Sequence, residues 1–280
     1  MLHKAYLFCL FFLISITHVQ AQLSQLPIGA RAMAMGGANS TVSDGWAIFN
    51  NPAGLAREDA LSAGFTYHYP YNLAALSTRA AYASLPIKFG NLGLGAAYFG
   101  DRLFNEQKIS LAYAQKISNV DFGMRVNYHQ FSAQNYGSRS LVSFDLGSTL
   151  QLTKNIYLGT SIHNLLRARL VDFEDERLPT SIRIGISYRP IDQLMLNVEA
   201  IKDIDFEPTV LVGVEYKVVK AIAVRGGIST EPTTTYFGLG LQLKKFNIDY
   251  SLTNHTVLGI SQQLSLSMNI KSIKKQKQAS

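Results

Sequence analysis

The side chains that could carry acid–base or nucleophilic chemistry in this sequence are scattered. The histidines lie near the ends of apolar runs, with one serine and one aspartate as available partners: His68, His129, His163, His255, Ser132 and Asp172. A hydrolase needs a nucleophile beside a base and a third group that orients the base. No recognisable nucleophile motif surrounds Ser132, so we expect solvated histidines and a protein that is not an enzyme.

Two other patterns could bind a ligand. The acidic run of Asp172, Glu174, Asp175 and Glu176 could hold Ca²⁺ weakly, although a solvated acidic surface is the simpler interpretation. The Gly-x-Gly pairs at 93–95 and 238–240 lack the rest of a nucleotide-binding fingerprint. We therefore predict no metal and no cofactor.

The first 21 residues have the pattern of a secretory signal peptide. Lys4 precedes an apolar core from Ala5 to Ile16, and Val19-Gln20-Ala21 is a small-x-small cleavage pattern. The core is shorter than the roughly 20 residues that a membrane-spanning helix needs. The single cysteine, Cys9, lies in this segment, so the mature chain, predicted to begin near Gln22, has no thiol chemistry.

Apolar and polar residues alternate along most of the mature chain. The run 120–128, VDFGMRVNY, is one example, and about fourteen such runs lie between Leu61 and Ile270. Period two places the two sets of side chains on opposite faces of a strand. Most runs have about 9 to 14 residues, and a membrane-spanning strand needs about 9 to 11. Strands of soluble sandwiches average about 5 or 6.

The polar face of these runs argues against a soluble sandwich or propeller. Charged residues are only 16% of the chain, and the polar face carries mainly Gly, Ser, Asn and Thr. Small polar residues suit the crowded interior of a closed barrel, whereas a solvated face would carry many Lys and Glu. The sequence therefore predicts an all-β, fourteen-stranded antiparallel transmembrane β-barrel over residues 61–270.

The connections between predicted strands fall into two classes. Six are short and mostly basic (PIKFGN, KISN, TKN, RPID, KVVK and KKFN), and the alternate ones are longer. Outer-membrane barrels have short periplasmic turns and longer external loops. We therefore expect a bacterial outer-membrane protein with both termini in the periplasm.

Much of the net charge of +7 lies in the short turns and in a basic tail, residues 271–280, which we expect to be periplasmic. No aromatic residues interleave with the tail lysines, so nucleic acid is not an expected partner. Contact with acidic partners or phospholipid headgroups is one interpretation of the tail. Simple solubility of a flexible end is the other.

Residues 22–60 read as neither strand nor loop. The lumen of a barrel of about fourteen strands is too wide for strand side chains to fill. Ala32 to Met35 can form a helical turn that Gly36 and Gly37 end, and Ser43 and Asp44 are good caps for a second turn. Asn50-Asn51-Pro52-Ala53-Gly54 forms a tight turn. We predict that this stretch is an N-terminal plug in the lumen.

The stretch GARAMAMGGA…VSDGWAIFNNPAGLA, residues 29–56, resembles the N-terminus of FadL-like outer-membrane proteins, the long-chain fatty-acid transporter family. Its fuller pattern is most similar to the PorV/PorQ branch, whose members are accessory barrels of type IX protein secretion. The resemblance implies no catalytic residue. It implies that the plug is anchored by Arg31, Gly36, Gly37, Trp46, Asn51, Pro52, Ala53 and Gly54.

Two functions remain open. Short loops favour a non-enzymatic accessory or docking subunit of an outer-membrane protein secretion (type IX-like) or barrel-assembly complex, with outer-membrane lipid and other outer-membrane or periplasmic proteins as partners. The alternative is a FadL-like passive channel for small hydrophobic molecules. A lateral gap, most readily in the Gly-rich runs at 90–100 and 226–227, would favour the channel.

Two further sets of residues complete the predicted sites. The candidates for partner contact are Arg167, Arg169, Asp172, Glu174, Lys274 and Lys275. Charges expected to face the lumen and to pair around the plug, as buried charges must, are Arg125, Asp145, Arg183, Glu199, Glu215, Arg225 and Asp249.

Overall fold

The computed structural model describes residues 26–169, 177–204 and 206–272. The predicted signal peptide lies outside these residues, as do Asp172, Glu174, Lys274 and Lys275. Within the described ranges, no helix is long and apolar enough to cross a membrane.

The described residues form fourteen strands that close into one antiparallel barrel. Each strand pairs with the next along the chain, and the last pairs with the first. This confirms the predicted barrel and its strand number. The strands are β1 (Ala60–Tyr69), β2 (Thr78–Ile87), β3 (Gly90–Gly100), β4 (Phe104–Ile117), β5 (Val120–Ala133), β6 (Gly137–Gln151), β7 (Ile156–His163), β8 (Ser181–Ile191), β9 (Leu194–Asp203), β10 (Thr209–Val219), β11 (Ile222–Ser229), β12 (Thr234–Gln242), β13 (Phe246–His255) and β14 (Gly259–Ser272).

Alternation along each strand separates an apolar outer face from a polar inner face. In β5, Asp121 and Arg125 are buried inside, whereas Phe122 and Met124 point outward and are 51% and 55% exposed. The same division in the other strands gives an outer surface of large exposed apolar side chains, which we call the apolar belt. Such a surface suits lipid contact.

The two ends of the barrel differ less than the sequence suggests. The short-turn end holds the β2–β3, β4–β5, β6–β7, β8–β9, β10–β11 and β12–β13 connections, and the long-loop end holds the others. Several connections predicted to be long are three-residue tips: 101–103, 134–136 and 256–258. The prediction was wrong there because neighbouring strands continue further and absorb residues assigned to loops.

Residues 26–59, which we call the N-terminal segment, lie against the inner faces of the strands. From 28 to 56 they are buried, except that Arg31, Ser43 and Asp44 are half-buried. The segment contains one α-helix, α1 (Ala30–Ala34), and two 3₁₀ turns, Gly45–Ile48 and Pro52–Arg57.

Local capping explains where these short elements begin and end. Gly36 and Gly37 have φ of 67° and 78°, and their amides donate to Met33 O and Ala32 O at the end of α1. Asp44 accepts from Trp46 N at 3.0 Å, and Asn51 accepts from Ala53 N at 3.1 Å. Both side chains therefore act as N-caps.

Glycines in the wall allow main chain to pack on main chain. A Cβ atom at Gly227 would lie 2.3 Å from Gly36 N, and one at Gly123 would lie 2.3 Å from Ala53 N. Neither position tolerates a side chain unless the N-terminal segment moves away. These glycines thus set how closely the segment approaches the wall.

The adjacent glycines of β11 test this packing. We expect Gly227→Ala to lower the free energy of unfolding by about 1–3 kcal/mol, since the new methyl group overpacks the contact with Gly36. Gly226→Ala is the matched control, because its Cβ would point outward and lie 3.7 Å from Val214. Urea unfolding followed by Trp46 fluorescence measures both. Equal losses in the two variants would contradict the role of Gly227.

Candidate functional site: the barrel interior

The inner faces of β2, β3 and β4 carry an apolar column. It runs from Phe99, with Leu76 packed against it at the long-loop end, to Ala114 near the short-turn end. The alanines of these strands leave room that the N-terminal segment fills. The column comprises Ile28, Trp46, Ala47, Ile48, Phe49, Leu55, Ala56, Ala80, Tyr82, Ala97, Phe99, Ala112 and Ala114.

Aromatic packing fixes one side of the column. The rings of Trp46 and Tyr82 meet edge to face, with centroids 4.7 Å apart and an interplanar angle of 72°. Phe49 lies deeper between the strands, and the Lys108 ammonium is 5.8 Å from its ring centroid. Phe49 is therefore held by packing and one cation–π contact.

The remaining inner wall carries an ion-pair belt. Glu215 bridges Arg31, at 2.7 Å, and Arg225, at 2.6 Å, and Arg225 also pairs with Asp249 at 2.7 Å. Arg31 reaches Asp44 as well, at 3.2 Å. The belt joins the N-terminal segment to β10, β11 and β13.

Two further ion pairs extend the belt to the neighbouring strands. Arg183 Nε is 2.8 Å from Glu199 Oε1, and Arg125 pairs with Asp145. Every charge that the sequence assigns to the lumen therefore lies in the belt and has a partner. Pairing is required because an isolated charge buried here would be costly.

The belt also holds the main chain of the N-terminal segment. Glu199 accepts from Ser40 N at 2.8 Å, and Arg183 donates to Gly37 O at 3.1 Å. Asn197 donates to Ala38 O at 2.7 Å, and Arg125 donates to Ile48 O. These peptide groups have few partners within the segment, so the wall satisfies them.

The predicted anchoring residues occupy four places in the interior. Arg31 is in the belt, Gly36 and Gly37 end α1 against β11, and Trp46 is in the column. Asn51 donates to Ser40 O at 2.6 Å, and Pro52, Ala53 and Gly54 continue the buried turn beside β5. Glycine at 54 is needed because a Cβ there would lie 2.4 Å from Val42 O.

Two of the predicted partner-contact residues lie elsewhere, in the β7–β8 connection. Arg167 and Arg169 are exposed, and Arg169 forms an isolated β-bridge with Arg177. Their exposed side chains lie outside the buried ion-pair belt, so the structure does not join the two predicted sets.

The histidine environments differ from the expectation of solvated rings. His68 and His129 are buried, 5% and 2% exposed, and His163 contacts Arg125 and Asp145. His163 and His255 are half-buried, and each is the last residue of its strand. The expectation was wrong because the N-terminal segment and neighbouring side chains cover inward positions even near strand ends.

His129 lies in a hydrogen-bond network that the sequence does not reveal. Its Nδ1 is 3.2 Å from Glu106 Oε1, and its Nε2 is 3.0 Å from Ser143 Oγ. Glu106, His129 and Ser143 are connected in the order carboxylate, imidazole and hydroxyl, as in a hydrolytic triad. All three residues are at most 2% exposed. Ser132 faces outward, one position out of phase with His129. The arrangement is a closed network and gives no access to a substrate.

In the described part of the chain, no group of three or more His, Cys, Asp or Glu residues could hold a metal ion.

The wall has a lateral notch between β6 and β7. Their pairing covers Leu146 to Gln151 of β6, so residues 137–145 extend beyond it. Asn164 and Leu165 reach across to Asp145 Oδ1 and Phe144 O, each at 2.8 Å. The runs 90–100 and 226–227, where the sequence suggests a break, stay paired on both sides.

The closed fourteen-stranded antiparallel barrel matches the fold of FadL-type outer-membrane barrels. No family model matches the chain, and no curated protein matches it.

Solved structures with a similar fold include three transport proteins. The toluene transporter TbuX of Ralstonia pickettii has a TM-score of 0.67 at 14% identity, covering 87% of this chain and 98% of TbuX. The toluene transporter TodX of Pseudomonas putida has a TM-score of 0.68 at 13% identity, and the match covers 86% of this chain and 98% of TodX. CymD, a monoaromatic hydrocarbon channel, has a TM-score of 0.67 at 14% identity, and the match covers 86% of this chain and 97% of CymD. At these identities the likeness shows the fold.

We expect the stability of the N-terminal segment to depend on pH through Glu58, which ends the second 3₁₀ turn and accepts from Ser62 Oγ at 3.3 Å. Burial raises the pKa of this carboxyl from 4.5 to about 7, Asp44 and Asp59 raise it too, and Ser62 and Arg31 oppose the shift. Because the folded-state pKa is raised, the protonated form contributes stability that is fully present below about 4.5. That contribution is lost as pH rises through about 7.

We therefore expect acrylamide quenching of Trp46 fluorescence to increase as pH is raised through about 7. In Glu58→Gln the side chain stays neutral, so quenching should change little over the same range. The same pH dependence in both proteins would assign the effect to another group.

Proposed function

We propose that this chain is a passive outer-membrane channel of the FadL-like kind for small hydrophobic molecules. The observation that carries the proposal is the apolar column, which extends along β2–β4 between the two ends of the barrel. The fold likeness to toluene transporters and a monoaromatic hydrocarbon channel supports the same choice. The proposal therefore prefers the function that the sequence ranks second.

The column suits an apolar solute because its members are apolar, although the Lys108 ammonium lies 5.8 Å from the Phe49 ring centroid. Burial of apolar surface contributes about 25 cal/mol per Å². Passage along the ion-pair belt would instead separate Arg225 from Glu215 or Arg183 from Glu199, which is costly. An apolar solute therefore partitions to the β2–β4 side of the lumen.

The side chains that fill the column must move for a solute to pass. Phe49 and Ile48 occupy its middle, and neither side chain can form an ion pair or hydrogen bond. The main chain around them stays fixed, since Arg125 binds Ile48 O and Glu199 binds Ser40 N. Side-chain displacement is thus sufficient, and the N-terminal segment need not leave the barrel.

The lateral notch is not the proposed path. Asp145 and Asn164 hydrogen-bond across it, and Asp145 also holds Arg125. An apolar molecule passing there would break buried polar contacts and gain none.

Uptake of radiolabelled toluene by proteoliposomes tests the column. We expect Phe49→Ala to raise the uptake rate, since it empties the middle of the column, and to cost about 3–5 kcal/mol of stability. Ala97→Leu should lower the rate by narrowing the column. Phe65→Ala is the control, because Phe65 is 52% exposed on the outer face. Unchanged uptake in both column variants would overturn the proposed path.

A second candidate is the docking subunit that the sequence favours. Its specific support is a set of exposed apolar residues at the tips of the long-loop end. Gln134 N donates to Leu103 O at 2.8 Å, so the tips carrying Leu103 and Tyr136 lie side by side. Exposed apolar patches of this kind often mark protein contacts. The set includes Leu73, Leu103, Tyr136, Leu166 and Val257.

A mild-detergent pull-down separates the two candidates. If the chain docks through these tips, other outer-membrane or periplasmic proteins should co-purify with it. Leu103→Ser combined with Tyr136→Ser should then lose them, and Glu231→Gln on another tip should retain them. A barrel that purifies alone, or a double variant that keeps its partners, would argue against docking at this end.

A further inference from the structure

The short-turn end carries a ring of lysines, which we call the basic rim. Five of its six turns have at least one exposed lysine at or beside the turn, and the sixth has Asp192. Among the described residues none of these lysines has an ion-pair partner. The basic rim comprises Lys88, Lys116, Lys154, Lys220, Lys244 and Lys245.

The rim lysines lie at the edge of the apolar belt. Exposed Phe89, Ile117, Leu152, Val219 and Leu243 are one or two residues from a rim lysine in the chain. The Lys88 ammonium is 4.9 Å from the Phe89 ring centroid. A lysine in this position can lay its alkyl stem along apolar surface and hold its ammonium at the level of lipid headgroups.

The opposite end carries exposed charges of both signs, and its cations are mainly arginines. Exposed Glu207 and Glu231 lie there with exposed Arg79, Arg102, Arg139, Arg167, Arg169 and Lys202. The β7–β8 connection adds both basic and acidic residues in the sequence. The long-loop end therefore carries charges of both signs in its connections, whereas the turns of the short-turn end carry mainly lysines.

We propose that the basic rim binds the phosphate groups of anionic phospholipids in the leaflet at the short-turn end. The lysines are spread around the circumference, from the β2–β3 turn to the β12–β13 turn. A protein partner would contact one side of the barrel, whereas a layer of lipid surrounds it. This inference goes beyond transport, since it concerns only the outer edge of the wall.

The positive charge of the basic rim predicts a preference for anionic over zwitterionic phospholipids. A basic side chain near an anionic membrane surface contributes about five-fold in affinity, and added salt screens the contribution. Replacing three rim lysines should therefore remove most of a preference for anionic over zwitterionic phospholipid.

Native mass spectrometry of the full chain in mixed micelles tests the inference. The probes are phosphatidylglycerol and phosphatidylcholine in equal amounts, and the readout is the ratio of the two lipids retained. The wild-type chain should retain phosphatidylglycerol preferentially, and salt should weaken that preference. The rim variant Lys88→Gln/Lys116→Gln/Lys154→Gln should lose most of it.

The matched control is Arg102→Gln/Arg167→Gln/Arg169→Gln, which removes three exposed cations from the other end. It should keep the wild-type ratio, and Trp46 fluorescence should be the same in all three proteins if the interior is intact. Equal retention of both lipids by the wild type, or equal losses in the rim and control variants, would overturn the proposal. Toluene uptake is measured separately, so a failed channel would leave the lipid result standing.

Discussion

The fold depends on filling a wide lumen with a segment that has little regular structure. Within the N-terminal segment, α1 and the two 3₁₀ turns satisfy only some of the main-chain groups, and a buried peptide group without a partner is costly. The wall meets this requirement in two ways. At Gly123 and Gly227 the wall has no side chain, so its main chain packs directly on the main chain of the N-terminal segment. Where the gap is wider, Arg183, Asn197 and Glu199 extend inward and bind carbonyls or amides of the segment.

The two sides of the interior consequently differ in how easily they can change. On the belt side, a shift of the N-terminal segment would separate Arg31 from Glu215 and uncover buried charges, so the cost is steep. On the column side, Phe49 and Ile48 contact alanines and glycines through dispersion forces that are small for each pair of atoms. One interior therefore combines a fixed side with a side where single side chains can move. This division is what the proposed apolar path beside a seated N-terminal segment requires.

The sequence predicts the features that depend on local pattern. Alternation in runs such as 120–128 predicts the barrel, and Asp44 is one of two residues recognisable as candidate caps before the Gly45–Ile48 turn. The sequence does not predict the features that depend on which strands are neighbours. Ser143 binds His129, whereas Ser132 faces outward, because a shift of one position reverses the face. The loop lengths were overestimated for a related reason. Above the apolar belt, β4, β5 and β6 expose polar side chains such as Gln107, Gln130 and Ser140 outward, so alternation gives no signal there although pairing continues.

The placement of charge connects the interior with the outer surface. The belt contains Arg31, Arg125, Arg183 and Arg225 against Asp44, Asp145, Glu199, Glu215 and Asp249, four positive and five negative charges. Its own net charge is therefore −1, and the net charge of +7 comes from residues outside it. A buried excess of either sign would be expensive, which explains the near balance inside. At the rim the same cost does not apply, because the exposed ammonium groups stay hydrated at the boundary of the apolar belt. Desolvation thus explains both patterns of charge. Charged side chains are paired where water is excluded, and positive charge is in excess at the rim, where headgroups and water meet.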